Sequence, residues 1–278
     1  VPFTLSHPAA VLPLARGRLV PSALVAGSMA PDVPYFFSMG DLRAATHDPV
    51  GIVTVDIVLG LALFAAFHLV WKWPLVALAP GWARRRLAGP AAGFRWSRIG
   101  WVPPSILAGA VTHVLWDAFT HRYHGFADLL PWLVTITFAG LELFRWLQYG
   151  SGLLGIAVIA WWSWRWARRA PAPPETRRAL PVRGAAAVWG VLVGCAVTGG
   201  LLGAATLINQ PDLPRTVHMT LASGVIGAIC GGGGALTVFG LAFAAFGVRG
   251  GVPDAPGAVD EGGRSPAPTA DADRPANV

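Results

Sequence analysis

Long apolar windows, separated by short stretches rich in arginine, dominate the chain. About 20 apolar residues in a helix cross a bilayer core, and five stretches approach or exceed that length: 50–71, 101–121, 150–166, 185–208 and 219–248. The first holds one Asp and one His, the second is amphipathic, and the third is short and ends among tryptophans. The fourth and fifth are rich in glycine, and the fifth is long enough to tilt or to break at 231–234. Residues 130–149 include Glu142 and Arg145 and read as an interfacial helix. Prolines at 2, 8, 13, 21, 31 and 34 cut the first 49 residues into pieces too short to span, with short helices predicted at 8–15 and 21–29. The pattern predicts an all-α fold: a polytopic membrane helical bundle of about five transmembrane helices, with short N-terminal and interfacial helices.

Four regions follow. Residues 1–166 form a membrane domain carrying the polar motifs, and 167–184 a basic, Pro-rich linker. Residues 185–248 form a Gly-rich helical hairpin. Residues 249–278 have no aromatic residue and are expected to be a disordered tail.

Composition supports the membrane reading. Apolar residues make up 54% of the chain and charged residues 13%, against about 25% charged in a soluble domain. Mean hydropathy is +0.54. The net charge of +7 comes almost wholly from arginine, Lys72 being the one lysine. The arginines sit at the ends of apolar runs, which argues against a nucleic-acid partner and for topology set by positive flanks. Arg84, Arg85 and Arg86 follow the first window, and Arg168 and Arg169 follow the third. Both loops are expected on the cytoplasmic side of a bacterial cytoplasmic membrane, with membrane lipids as neighbours. Cys195 and Cys230 lie inside apolar runs and form no motif.

Ionisable groups inside a membrane are expensive and call for a reason. Six of the seven histidines lie within the first 124 residues. His113, Asp117 and His121 are spaced by four, which puts them on one face of a helix. Histidine and carboxylate on one helical face is a geometry that holds a divalent metal. Interhelical hydrogen bonding is the plain structural alternative. Three further elements, Ser6-His7-Pro8, Ala30-Pro31-Asp32 and Thr46-His47-Asp48, map to the same end of the bundle. His7, Asp32 and His47 are therefore further metal candidates, although each alone suits a surface or turn residue. A site of one or two ions, zinc or manganese, would activate water, with Asp48 or His124 as general base. Asp56, inside the first window, suits a residue that orients a ligand histidine, or an interhelical contact. No phosphate-binding loop, nucleophile elbow or H-E-x-x-H is present.

The stretches Pro2-Phe3-Thr4-Leu5-Ser6-His7-Pro8, Gly27-Ser28-Met29-Ala30-Pro31-Asp32, Thr46-His47, Thr112-His113-Val114-Leu115-Trp116-Asp117 and Leu147-Gln148-Tyr149-Gly150-Ser151 resemble an uncharacterised bacterial membrane family, domain of unknown function 4184. More loosely, the pattern is similar to the membrane-bound metal-dependent hydrolase family. That likeness implies His7, Asp32, His47, His113 and Asp117 as metal ligands. The looser family carries a further histidine upstream of the Thr-His pair, and this chain does not, which bears on a second metal. The expected activity is hydrolysis of a phosphoester or lipid-linked substrate. The alternative is a non-enzymatic proton or metal transporter, or a helical scaffold. A transporter favours matched halves, whereas here the polar motif is confined to the first half.

Overall fold

The computed structural model describes residues 4–121, 129–173, 180–208 and 217–246. Helix dominates. Among the described residues the strands are a two-residue pair, Thr137–Phe138 and Leu141–Glu142, antiparallel with Thr137 opposite Glu142. Ala139 and Gly140 turn the hairpin with φ of 50° and 77°, as a two-residue turn of this hand requires.

Five helices are long and apolar enough to cross a membrane: Val55–Leu78, Trp96–Thr120, Leu143–Arg169, Val182–Ala205 and Met219–Ala245. They are called the first to fifth spans. Their bounds differ from the hydropathy windows for local reasons. Residues 50–54 do not join the first span. They belong to a separate turn of helix, Pro49–Val53, capped at its start by Asp48 and ended at Thr54. The first span instead runs past Trp71 to Leu78, through a π-helical turn at Phe67–Trp71.

The third span begins at Leu143, seven residues before the apolar window suggests. The interfacial helix expected over 130–149 is divided. It becomes a short helix, Trp132–Thr135, then the hairpin, then the opening turns of the span. Charge does not stop the helix, because Arg145 Nε pairs with Glu142 Oε2 at 3.2 Å. Trp146 Nε1 donates to the Phe138 carbonyl at 2.9 Å and ties the hairpin to the helix. The fifth span is unbroken through 231–234. Gly231 there faces the backbone of Cys195, so close packing replaces the expected break.

The core of the first half forms where the Pro21–Met29 helix lies between the first and second spans. Val20, Ala23, Ala26, Phe64, Val102 and Ile106 pack together there. This helix is largely apolar and mostly buried, with Ser22 hydrogen-bonded to His68 at 2.9 Å. At Gly109 of the second span a Cβ would overlap the backbone of Leu24 and Ser28. The missing side chain lets the two helices touch backbone to backbone, and this sets the Ser28 carbonyl against the second span.

The fourth and fifth spans form an antiparallel pair in which Gly199 and Gly227 face each other's backbone. The pair docks on the far half of the first span. Trp71 Nε1 donates to Thr237 Oγ1 at 3.0 Å, and Trp189 Nε1 to the Leu78 carbonyl at 3.2 Å. Residues 249–278, expected to be disordered, lie outside the described residues.

Candidate metal centre

The site forms at the end of the second span where short elements from the first 50 residues close over it. His113 and Asp117 come from one face of the second span, one turn apart. His113 is fully buried, and its Nδ1–H donates to the Ser28 carbonyl at 2.8 Å. That bond leaves Nε2 turned toward the cluster. Asp56 therefore does not orient this histidine, and a backbone carbonyl does.

Asp32 sits at the position of an N-cap, just before the Val33–Phe36 helix, yet its carboxylate makes no capping bond. It turns inward. Oδ2 accepts from Thr4 Oγ1 at 2.5 Å, and Oδ1 lies 3.6 Å from His113 Nε2. Asp48 stands in a similar place before Pro49 and behaves in the opposite way. Its exposed side chain accepts from Val50 N at 2.9 Å, as an ordinary helix cap does.

His47 ends the Gly40–Thr46 helix. Thr46 is buried and anchors this end by donating to the Pro31 carbonyl at 2.8 Å. His47 Nδ1 lies 3.1 Å from the Arg43 carbonyl, so Nδ1–H donates there and Nε2 faces Asp117 Oδ2 at 3.4 Å. Ligand atoms of Asp32, His47, His113 and Asp117 all lie within 4.8 Å of one another.

Two flanking histidines lean on Asp117 from outside this set of four. His7 Nε2 is 3.1 Å from Asp117 Oδ1, and its ring stacks on His113 at 3.9 Å. His121 lies just past the helix end. Its Nδ1 is 3.4 Å from Asp117 Oδ1, and its Nε2 is 2.9 Å from the Gln148 amide of the third span. Arg43 Nη2 approaches Asp117 Oδ2 at 3.9 Å. His124 lies outside the described residues.

The donor set fits a divalent cation. Tetrahedral ligands at about 2.0–2.1 Å from zinc stand about 3.3 Å apart. The nearest separations here are 3.6 Å for His113 to Asp32, 3.5 Å for His113 to Asp117 and 3.4 Å for His47 to Asp117, with the whole set inside 4.8 Å. Those distances are long for hydrogen bonds between buried groups and close to the edges of a coordination polyhedron. Asp32 Oδ1 and His113 Nε2 are buried and make no hydrogen bond. Leaving buried polar atoms unmatched is costly unless something binds between them. Both ring orientations are those of metal-ligating histidines, one nitrogen fixed by a carbonyl and the other presented. Two carboxylates at this range favour positive charge beside them, which a divalent ion would supply together with Arg43.

Asp32 lies outside the spans. Burial opposes its ionisation, but attraction to His113 and the Thr4 hydroxyl outweigh burial and bring its pKa from 3.8 to about 2. It is therefore a carboxylate at neutral pH, the form that binds metal.

Sequence reasoning assigned no role to Thr4, Ser28, Arg43 or Gln148. Gln148 lies 27 positions from His121 and Thr4 lies 28 from Asp32. Such contacts leave no periodic trace. Arg43 had one signal, its spacing of four from His47 on the short helix.

Two neighbouring cavities, which share His7 and Trp116 in their linings, lie beside the cluster. A small one is lined by His7, Asp117, His121 and Gln148. The larger one is apolar, about 200 Å³, between His7, Ala10 and Trp116 on one side and Leu154 and Val158 of the third span on the other.

Fold and site together define a class: a multispan helical membrane protein with a buried His/Asp cluster able to hold a metal ion. A profile of the DUF4184 family, a domain of unknown function, matches residues 1–241, and the chain belongs to that family. No curated protein and no solved structure matches it.

Proposed function

We propose that the protein is a membrane-embedded, metal-dependent hydrolase, holding zinc or manganese at the cluster and acting on a phosphoester or lipid-linked substrate. The observation that carries this reading is the convergence of Asp32, His47, His113 and Asp117 within 4.8 Å. Two of the atoms that face each other there, Asp32 Oδ1 and His113 Nε2, lack hydrogen bonds. A divalent ion supplies a Lewis acid that polarises an ester oxygen and brings water into the nucleophilic range near neutral pH.

The chain's own groups supply the rest. His113 and His47 each turn Nε2 toward the cluster, with Nδ1 fixed by a backbone carbonyl. Asp117 gathers His7, His47, His113 and His121 around one carboxylate. His121 borders the small cavity with both ring nitrogens engaged, Nε2 at the Gln148 amide and Nδ1 toward Asp117, so it positions that carboxylate. Asp48, spent on its own helix, is poorly placed to act as general base. The apolar cavity ending at His7 suits the chain of an amphiphile whose ester reaches Asp117 and His121. By the arginine topology this end of the bundle faces the outside of the cell membrane.

Metal content of the detergent-purified protein, measured by elemental mass spectrometry, tests the reading. About one or two equivalents of zinc or manganese are expected, lost in a His113→Ala/Asp117→Ala variant. No metal in the wild-type protein, even after reloading, would overturn it. Asp56 favours a second reading. It is fully buried in the first span, and neither carboxylate oxygen has a hydrogen bond. That is the setting of a proton or cation relay in a transporter. Ion flux into proteoliposomes, abolished by Asp56→Asn but insensitive to His7→Ala, would favour transport. A hydrolase shows the reverse dependence in turnover.

A further inference from the structure

The largest cavity among those described lies away from the cluster, toward the other end of the third span. Gln148, beside the cluster, and Arg168, beside this cavity, are 20 residues apart on one helix, or about 30 Å at 1.5 Å per residue. That is the thickness of a bilayer's hydrocarbon core. The cavity measures about 720 Å³ and opens between the Gly81–Ala92 helix and the last turns of the third span. Trp82, Arg86 and Leu87 line one wall, and Trp162, Trp166 and Arg168 the other. Its volume is in the range of small-molecule sites, about 300–1,000 Å³.

Charge and hydrogen bonding specify the occupant. Arg86 and Arg168 line the cavity, their helices carry Arg84, Arg85, Arg165 and Arg169 nearby in sequence, and neither 81–92 nor 143–169 contains an Asp or Glu. Arg86 Nη1 donates to the Trp82 carbonyl at 2.7 Å, while its Nε is buried without a partner. Arg168 stacks over Trp164, which also lines the cavity, at 5.0 Å, so its guanidinium is held against the aromatic wall. Guanidinium donors recognise phosphate oxygens. Indole rings at the ends of membrane spans sit at the level of the lipid headgroups, with apolar faces that the upper acyl carbons can contact. Basic pockets between membrane helices are where anionic headgroups bind.

We propose that this cavity is a binding site for an anionic phospholipid. The headgroup phosphate lies between Arg86 and Arg168, and the chains run along Trp82, Trp162 and Trp166. A ring of tryptophan and arginine around a span can also arise as a generic anchor without a site. The two differ in that a site discriminates headgroups and saturates.

The test is native mass spectrometry of the full chain, delipidated in detergent and titrated with phosphatidylglycerol or with phosphatidylcholine of identical chains. The expected result is a saturable adduct with phosphatidylglycerol, bound about tenfold more tightly than phosphatidylcholine. An Arg86→Gln/Arg168→Gln variant is expected to lose that preference. An Arg16→Gln/Arg183→Gln variant, with the same loss of charge elsewhere, is expected to keep it. Equal binding of the two lipids by the wild-type protein overturns the proposal without any variant. So does an equal loss in both variants, which would reduce the site to general charge attraction. Competition by free glycerol phosphate as effective as by the lipid would identify a soluble anion as the ligand and overturn the lipid assignment. None of these outcomes depends on the metal cluster.

Discussion

The two parts of the membrane-embedded chain use the same packing device to different ends. In the hairpin of the fourth and fifth spans, Gly199 and Gly227 bring two helices together, and the contact they create is apolar and self-sufficient. In the first half, Gly27 and Gly109 bring the Pro21–Met29 helix against the second span just as closely. There the contact delivers the Ser28 carbonyl to His113 and the following turn delivers Asp32. One close approach serves as structure, and the other positions polar groups that hydrocarbon would not otherwise tolerate. Stability and metal binding are therefore expected to be coupled in the first half and separable in the hairpin.

The largest effect that would sharpen this contrast comes from the carboxylate at the centre. Asp117 faces four histidines and Arg43. Asp117→Ala is expected to weaken metal binding by more than about 100-fold, beyond the range of an outer-shell partner. Competition with a chromogenic chelator measures this. A variant with unchanged affinity would break the assignment of Asp117 to the centre.

Next come the glycines. Gly109→Ala puts a methyl group into the backbone of Leu24 and Ser28, and overpacking of this kind costs about 1–3 kcal/mol. It is expected to lower both the thermal midpoint in detergent and the metal content. Gly227→Ala meets the backbone of Gly199 and is expected to lower the midpoint while leaving metal bound. Gly233 has open space around it, and Gly233→Ala is expected to stabilise by up to about 1 kcal/mol through helix propensity. If Gly109→Ala and Gly227→Ala affect metal equally, the two halves do not differ in the way described.

Much of this architecture was legible in the chain. Hydropathy located all five spans, because uncharged windows of that length have few other uses. The fourfold spacing of His113 and Asp117 placed them on one face, and Asp32 and His47 stood out as polar residues at span boundaries. What could not be read was long-range. A Glu142–Arg145 pair that neutralises itself hides the start of the third span. Little local distinguishes the inward-turned Asp32 from the capping Asp48, since both precede a helix with proline in its first two positions. The difference lies in Thr4 and His113, which meet Asp32 only in the folded chain.

A further effect concerns Asp32 and acid. Its folded pKa of about 2 lies below its ordinary 3.8. The lowered value contributes stability that is present above the ordinary value and is lost as pH falls from about 4 toward 2. The amount is about 2 kcal/mol. In metal-stripped protein, Asp32→Asn is expected to flatten this acid limb. Denaturant unfolding at pH 5 and at pH 2.5 measures it, and an equally steep limb in the variant would assign the acid sensitivity elsewhere.

The smallest expected effect compares one threonine from each half. Thr4 Oγ1 donates to Asp32 Oδ2 at 2.5 Å and so fixes which oxygen turns to His113. Thr237 Oγ1 accepts from Trp71 Nε1 at 3.0 Å and donates to the Gly233 carbonyl at 2.8 Å, in a contact between the hairpin and the first span. Thr→Val keeps shape and removes the hydroxyl, at about 1 kcal/mol for a typical hydrogen bond. Stability alone should therefore not tell the two variants apart. Metal affinity should. Thr4→Val frees the Asp32 carboxylate to rotate, which is expected to weaken binding about tenfold, as loss of an outer-shell partner does. Thr237→Val is expected to leave affinity unchanged. A matched drop in stability with divergent metal affinity is the signature of one half organised around a bound ion and the other around its own packing. Matched behaviour in both measurements would reduce Thr4 to another interhelical contact.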